Sequence, residues 1–298
     1  MWLISALIGY VLLAVVFILD KHILAQEVRR PIVYTFYSCV FLLAVGIAWA
    51  FVPFETSLTY WLWSIVSGFA FGMALHAMFV AVSKSEASHL DPFIGAIITI
   101  ATFAGAYLWL GEILTSRQST GIICLGIASL LLAVEDKSKN KNKSKRWQWY
   151  AIGILAGILF AISTLTGKFL YDEFGFVSGL IGSRFTTGVF GLLILLLPSA
   201  VRALRAPAIK TAKNPAGLVI LDKVLGVISV LFIQYAISKS SVTVVSALAG
   251  LQYALMFVVI VILTWRNSKF LKEKFSLLET TAQVAGLILI MIGLYLVV

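Results

Sequence analysis

The sequence predicts an all-α polytopic membrane protein whose ten transmembrane helices form two inverted five-helix repeats. Three observations lead there. Of the 298 residues, 61% are hydrophobic and 12% charged, with mean hydropathy +1.02, so too little polar surface exists to cover a water-soluble globule. Ten apolar stretches reach the ~20 residues needed to cross ~30 Å of hydrocarbon. A five-residue phrase, Ala81-Val82-Ser83-Lys84-Ser85, returns as Ala236-Ile237-Ser238-Lys239-Ser240 and closes one span in each half.

Span 1, residues 2–20, has no basic leader, outruns the apolar core of a secretory signal, and ends at Asp20-Lys21 without a small-residue cleavage site, so it is read as a retained helix. Span 2 covers 32–52 and contains Cys39. Span 3, 58–83, carries Gly68, Gly72 and His76. Span 4, 90–110, begins with Pro92, and span 5, 116–134, contains Cys124. Both cysteines lie in apolar surroundings without ligand-spaced partners, which makes them packing residues rather than disulfide or metal ligands. Span 6, 148–171, holds Gly153, Gly157 and the hydroxyls of Ser163, Thr164 and Thr166. Small-residue pairs such as Gly68/Gly72 and Gly153/Gly157 permit close helix contact. Span 7 is 176–198 with Arg184, span 8 is 215–238 with Asp222, Lys223 and Gln234, span 9 is 241–265 with Gln252 and Tyr253, and span 10 is 276–298. Prolines sit at span ends, so no proline-broken helix marks an ion site.

Paired features keep their order in the two halves. Lys21 and Lys168 are 147 residues apart, Lys84 and Lys239 155, Glu112 and Glu273 161, and Gly121 and Gly286 165, the offset growing where loops lengthen. The repeats are read as 1–134 and 148–298, joined by a basic linker at 135–147. Five helices per repeat is an odd number, so the second copy enters the membrane from the opposite side. Secondary transporters use this plan, with a site near the midplane and alternating access.

Lysine and arginine placement orients the chain. Eighteen of these residues, including Lys137, Lys139, Lys141, Lys143, Lys145 and Arg146 of the linker, fall on one face, and only Arg117, Lys168 and Lys239 on the other. The linker is therefore expected in the cytoplasm and both termini outside. The net charge of +10 is mostly an orientation signal. The linker lacks the interleaved aromatics and folded context of a nucleic-acid site.

In both halves the residues at the fourth and fifth spans resemble an EamA-type member of the drug/metabolite transporter superfamily. They are Leu110-Gly111-Glu112-Ile113-Leu114-Thr115, then Gln118 and Gly121, and Lys272-Glu273-Lys274-Phe275-Ser276, then Gln283, Gly286 and Gly293, with Pro92 early in span 4. The resemblance covers essentially the whole chain. It implies ten helices in two repeats around a central cavity lined by helices 1, 3, 4, 6, 8 and 9. That favours His76, Gln234, Gln252 and the span 6 hydroxyls as site residues and places Arg184 further out. The family is commonly drawn with cytoplasmic termini, opposite to the charge count, and the second half has no counterpart of Pro92. Span 1 has no acidic residue before Asp20, so it lacks the buried helix 1 glutamate of the small proton-coupled four-helix relatives.

Residues deep in the spans carry the functional expectation, because a charge in hydrocarbon is costly unless it faces a cavity or a partner. Arg184 lies roughly 12 Å into span 7, and Asp222 and Lys223 roughly 10 Å into span 8. The latter two are adjacent and point about 100° apart, which argues against a mutual pair. Arg184 is the candidate partner for Asp222, and Lys223 either joins the site or snorkels to the interface. His76 is either a packing residue or a proton carrier. Ser163, Thr164 and Thr166 either face a cavity or bond back to their own helix. Gln234, Gln252 and Tyr253 complete the substrate-binding set. Glu112 is read as a cap for the positive end of span 5, and Lys84 and Lys239 as ends that snorkel.

Enzyme motifs are absent: there is no His-Glu-x-x-His metal pair, Ser178 has no evident base, and His89 with Asp91 lies at an interface without further ligands. No catalytic residue, metal or cofactor is expected. The reading is a secondary-active carrier of the inner or plasma membrane that exports a small polar or amphipathic metabolite, amino-acid-like, nucleobase-like or drug-like. The expected partners are that small-molecule substrate and the lipid bilayer, with a proton as candidate coupling ion and a homodimer as candidate assembly. The alternatives are a flippase for a lipid-linked substrate and a non-transporting scaffold or sensor, with an intramembrane enzyme behind them.

Overall fold

The computed structural model describes residues 1–24, 30–83, 87–134, 143–205, 215–266 and 277–297. All its elements are helical. Among the described residues nine helices are long and apolar enough to cross a membrane, and one more apolar helix, Ser116–Leu132, is shorter. The protein is an all-α, multi-pass membrane protein. Most of the linker, Lys84 and Ser85 of the first repeated phrase, and the segment Lys272-Glu273-Lys274-Phe275-Ser276 lie outside the described residues.

The helices are α1 (Trp2–His22), α2 (Pro31–Val40), α3 (Leu58–Val82), α4 (Ala87–Gly105), α5 (Ser116–Leu132), α6 (Lys143–Phe174), α7 (Phe176–Leu193), α8 (Pro198–Arg205), α9 (Pro215–Lys239), α10 (Val242–Ala247), α11 (Ala249–Arg266) and α12 (Leu277–Val297). Four of the expected spans depart from a single α-helix, span 7 ending in a short 3₁₀ turn over Ile194–Leu196. Span 2 tightens into a 3₁₀ rod over Phe41–Ala50, span 4 ends in a π turn over Ala106–Leu110, and span 9 is divided at Leu248 into α10 and α11. None of these irregularities contains a proline. Pro92 lies inside α4, in its second turn, where it removes one backbone hydrogen bond of the helix.

Local chemistry sets several ends. The π turn stops at Gly111, whose φ of +65° is a left-handed conformation that closes a helix at little steric cost. At α5 the side chains of Thr115 and Gln118 each accept from the other's backbone N–H, at 3.2 and 3.1 Å, a capping box. Thus Thr115 and Gln118, not Glu112, cap the start of span 5.

Glycines allow the close crossings. At the α5–α12 contact, a Cβ on Gly121 would lie 2.9 Å from the Gly293 carbonyl, and one on Gly293 would lie 3.0 Å from the Gly121 carbonyl. Gly68 of α3 faces α7 so closely that a Cβ would sit 2.6 Å from the Thr187 backbone nitrogen and 2.7 Å from the Ser183 carbonyl. Those are backbone atoms and cannot turn aside. Gly68→Ala is therefore expected to cost about 1–3 kcal/mol, seen as a lower unfolding temperature in detergent.

Packing follows a few long crossings. α1 lies antiparallel on α9, with Ser5 Oγ donating to the Phe232 carbonyl at 2.9 Å and Lys223 Nζ 3.3 Å from Asp20 Oδ1. α3 packs on α6 and α7, α4 on α6, α11 on α1, α5 on α12, and the rod of α2 and its 3₁₀ extension on α7. Large apolar side chains such as Leu62, Ile65, Ile100, Ile123 and Met291 remain exposed, which is stable only against lipid. Trp49, Phe54, Trp61 and Phe185 cluster where the rod meets α3, and Trp63, Trp109 and Phe169 cluster beside them. The tryptophans of these clusters sit near helix ends, as at a membrane–water interface.

Candidate functional site

A cavity of about 240 Å³ lies between the helices of the two halves. Residues of α1, α2 and its extension, α3 and α4 line it from the first half, and residues of α6, α7, α9, α10 and α11 from the second. Its walls are mostly apolar. Four charged side chains reach it: Asp20, Asp91, Arg184 and Lys223.

At one end, Asp20, Tyr34, Asp222 and Lys223 form a network that ties α1, α2 and α9 together. Asp20, Tyr34 and Asp222 are buried, and the Lys223 side chain is 14% exposed. Lys223 Nζ is 2.8 Å from Asp222 Oδ2 and 3.3 Å from Asp20 Oδ1, and it lies 3.7 Å from the centre of the Tyr34 ring. The Tyr34 hydroxyl touches both carboxylates, Asp20 Oδ1 and, at 2.8 Å, Asp222 Oδ2. A phenol has one proton to give. Tyr34 therefore donates to one of the two carboxylates at a time, and Lys223 bridges the same pair.

This network corrects two expectations. Asp222 pairs with the neighbouring Lys223 and with Tyr34, not with Arg184. The 100° divergence of adjacent Cβ positions does not keep them apart, because the four-carbon lysine stem bends back until both heads meet at Tyr34. Asp20, read in the sequence as the polar end of span 1, is instead buried, because α1 continues to His22 and packs on α9.

Arg184 stands apart from this network. It is buried, lines the cavity, and its guanidinium lies 4.3 Å from the centre of the Phe71 ring. The Tyr171 hydroxyl beside it donates to Gln234 Oε1 at 2.9 Å. Among the described residues no carboxylate pairs with Arg184, and its Nε has no hydrogen-bond partner. Arg184 thus belongs to the cavity wall, closer in than the family resemblance implies. Gln234 and Lys223 are eleven residues apart on α9, about 16 Å of helix.

The remaining expected residues divide. Thr164, Gln234, Gln252 and Tyr253 line the cavity. Gln252 is 1% exposed and its Nε2 has no partner. The Tyr253 ring packs against Gly95, where any Cβ would overlap it. Ser163 and Thr166 are not among the lining residues: Thr166 bonds back to the Ile162 carbonyl at 2.7 Å, and the Ser163 carbonyl accepts from Ser67 of α3 at 3.0 Å. His76 is likewise away from the lining, with Nδ1 3.1 Å from Thr35 Oγ1. Of the two residues weighed for an enzyme, Asp91 lines the cavity, whereas His89 Nε2 lies 3.8 Å from Glu279 Oε1 of α12.

Sequence reasoning missed Tyr34, Ser38, Tyr10 and Ser246, all polar residues at the cavity or its network, and placed Asp91 at an interface rather than in the cavity. Tyr10, for example, donates to the Val245 carbonyl at 2.7 Å and fixes α1 to α10. Position inside an apolar span was the available signal, and Asp20 and Asp91 lacked even that, being near span ends.

Glu112 has a role the sequence placed elsewhere. Its carboxylate accepts from Ser241 Oγ at 2.8 Å, the Val242 N–H at 2.8 Å and Thr243 Oγ1 at 2.9 Å. It caps the positive end of α10 in the other half of the chain, just ahead of the cavity residues Ser246 and Gln252.

No protein-family profile matches the chain, and no curated protein matches it. Among solved structures 25 chains match. One, known as the crystal structure of a protein without further description, superposes over 98% of this chain and 97% of its own length, with TM-score 0.66 and 14% identity. At that identity the likeness shows the fold alone.

Proposed function

We propose that the chain is a proton-coupled secondary carrier of the cell membrane, of the EamA type within the drug/metabolite transporter superfamily, that exports a small polar or amphipathic metabolite by alternating access. The observation that carries this reading is the buried cavity lined from both halves, with a titratable network on its wall. Ten spans in two inverted repeats are supported by the packing. Exchanging the halves turns the α1–α9 contact into α6–α3 and the α1–α11 contact into α6–α4, while α5–α12 and the α2 rod with α7 map onto themselves. A site between such copies is where rocking of one against the other changes access.

The proton site is the Asp20–Tyr34–Asp222–Lys223 network. It joins α1 and α2 of one half to α9 of the other, so its protonation bears directly on whether that end is held shut. Uptake of a proton removes the net negative charge, and loss of it leaves two carboxylates competing for one ammonium and one hydroxyl.

The test is flux in proteoliposomes holding the purified full chain, with amino acids, nucleobases, quaternary ammonium compounds and amphipathic acids supplied in turn. A pH gradient is expected to drive accumulation of one class, with collapse on adding a protonophore. Asp222→Asn is expected to keep exchange of that class and lose accumulation. Accumulation that ignores the pH gradient, or that survives Asp222→Asn, refutes the coupling site. Absence of flux for every class by folded protein refutes the carrier.

A further inference from the structure

We propose that Arg184 anchors the oxyanion head group, carboxylate or phosphate, of an amphipathic substrate whose apolar part lies in an opening between the 41–50 rod and α9. This deepens the carrier reading and rests on it for the transport role, while the binding itself does not.

Arg184 is a buried cation at membrane depth without an anion of its own among the described residues. A charge held so is costly unless a partner arrives. The unsatisfied polar atoms that share the cavity with it can all donate: Gln252 Nε2 and the Ser38 hydroxyl, which can also accept, have no partner either. A planar guanidinium with further donors recognises an acceptor-only group, and its paired N–H bonds match the two oxygens of a carboxylate or phosphate. The carboxylates of the cavity do not fill this role, since Asp20 is held by Tyr34 and Lys223, and Asp91 makes no ion pair with Arg184.

The second half of the proposal comes from exposure. Phe41, Val227 and Leu231 line the cavity, yet they are 50%, 36% and 42% exposed. They open it sideways, onto the surface that faces lipid. The rod of α2 reaches α9 at Tyr34, where the hydroxyl meets Asp222. Beyond that point, among the described residues, the rod packs chiefly on α7. The corresponding crossing in the other half, α3 with α7, is sealed by Gly68 and Gly72. One side of the bundle is closed and the other has an apolar slot leading to a cation, which suits a molecule with an apolar body and an anionic head.

The experiment uses the full chain in phosphatidylcholine nanodiscs with two photoactivatable probes of equal tail length, a diazirine fatty acid and the matching fatty alcohol. The acid is expected to label residues around Phe41 and Leu231 about tenfold more than the alcohol, the discrimination of a charge-assisted hydrogen-bonded head group. Arg184→Gln is expected to bring the acid down to the level of the alcohol, and Arg184→Lys to keep part of the preference. Equal labelling by acid and alcohol in the unaltered protein overturns the proposal without recourse to any variant, as does undiminished acid preference in Arg184→Gln. Competitors then separate the sources. Displacement by 3-phenylpropionate or a short alkyl phosphate added in water identifies a soluble amphipathic anion, and displacement only by long-chain acids identifies a membrane lipid. Labelling that depends on Arg184 without flux in proteoliposomes would refute the carrier and leave the anion site standing. Flux indifferent to Arg184 and to head-group charge would do the reverse.

Discussion

Lys223→Met is expected to lower stability by about 3–5 kcal/mol, the scale for removing one partner from a buried ionic group. The substitution keeps the length of the stem and deletes the ammonium that Asp20 and Asp222 share. Two buried carboxylates would then be left with one tyrosine hydroxyl between them. Asp222→Asn added to Lys223→Met is expected to recover much of the loss, because the amide fills the same space without charge. Unfolding in detergent, followed through the eight tryptophans, reads both effects. Equal stability of Lys223→Met and the unaltered chain would show that the lysine does not hold this network.

Glu112→Ala is expected to cost about 2–3 kcal/mol. A neutral helix cap contributes roughly 1 kcal/mol and hydrogen bonds to a charged group about 1.5–3 kcal/mol, and here one carboxylate serves two hydroxyls and a backbone N–H of α10. Glu112→Gln is expected to recover part of that, since its amide oxygen accepts at one of these positions. The loss should also reach function. α10 is six residues long and places Ser246 in the cavity, so fraying its start disturbs the wall where Gln252 and Tyr253 follow. Stability measurements on the two variants check the order: unaltered chain, then glutamine, then alanine.

How much of this was readable from the sequence depends on what sets each feature. Span positions were legible because a bilayer imposes length and apolarity on every crossing, and each expected stretch holds a helix. The tightening at Phe41–Ala50 and the division at Leu248 were not, because no proline marks either, and Gly46, which lies inside the 3₁₀ segment against Phe185, carries no signal that sets it apart from the other span glycines. Gly68 was legible as a close-contact residue but not its partner on α7, and Gly121 was legible only as a repeated motif residue. The network at Tyr34 was invisible for a related reason. Its members come from residues 20, 34, 222 and 223, and no spacing in the sequence relates the first two to the last two. The cap at Glu112 illustrates the same limit, since a carboxylate four residues ahead of α5 reads as a cap for that helix until its true partner, about 130 residues onward, is in place. Of the three α6 hydroxyl residues weighed, only Thr164 lines the cavity, and its hydroxyl too donates to its own helix, at the Phe160 carbonyl 2.8 Å away. Ser163 faces Ser67, and Thr166 satisfies itself on its own backbone.

The central claim is that one cavity opens in turn to both sides of the membrane, and the direct test is a single cysteine in its wall. The chain has two cysteines, Cys39 and Cys124, which can be replaced by serine before Thr164→Cys is introduced. Sealed vesicles of known orientation are then treated with a membrane-impermeant thiol reagent from outside, or loaded with it. Modification from both sides, slowed by substrate, is the expected result. Modification from one side only, under every pH gradient and with every solute, would contradict alternating access and leave a static cavity.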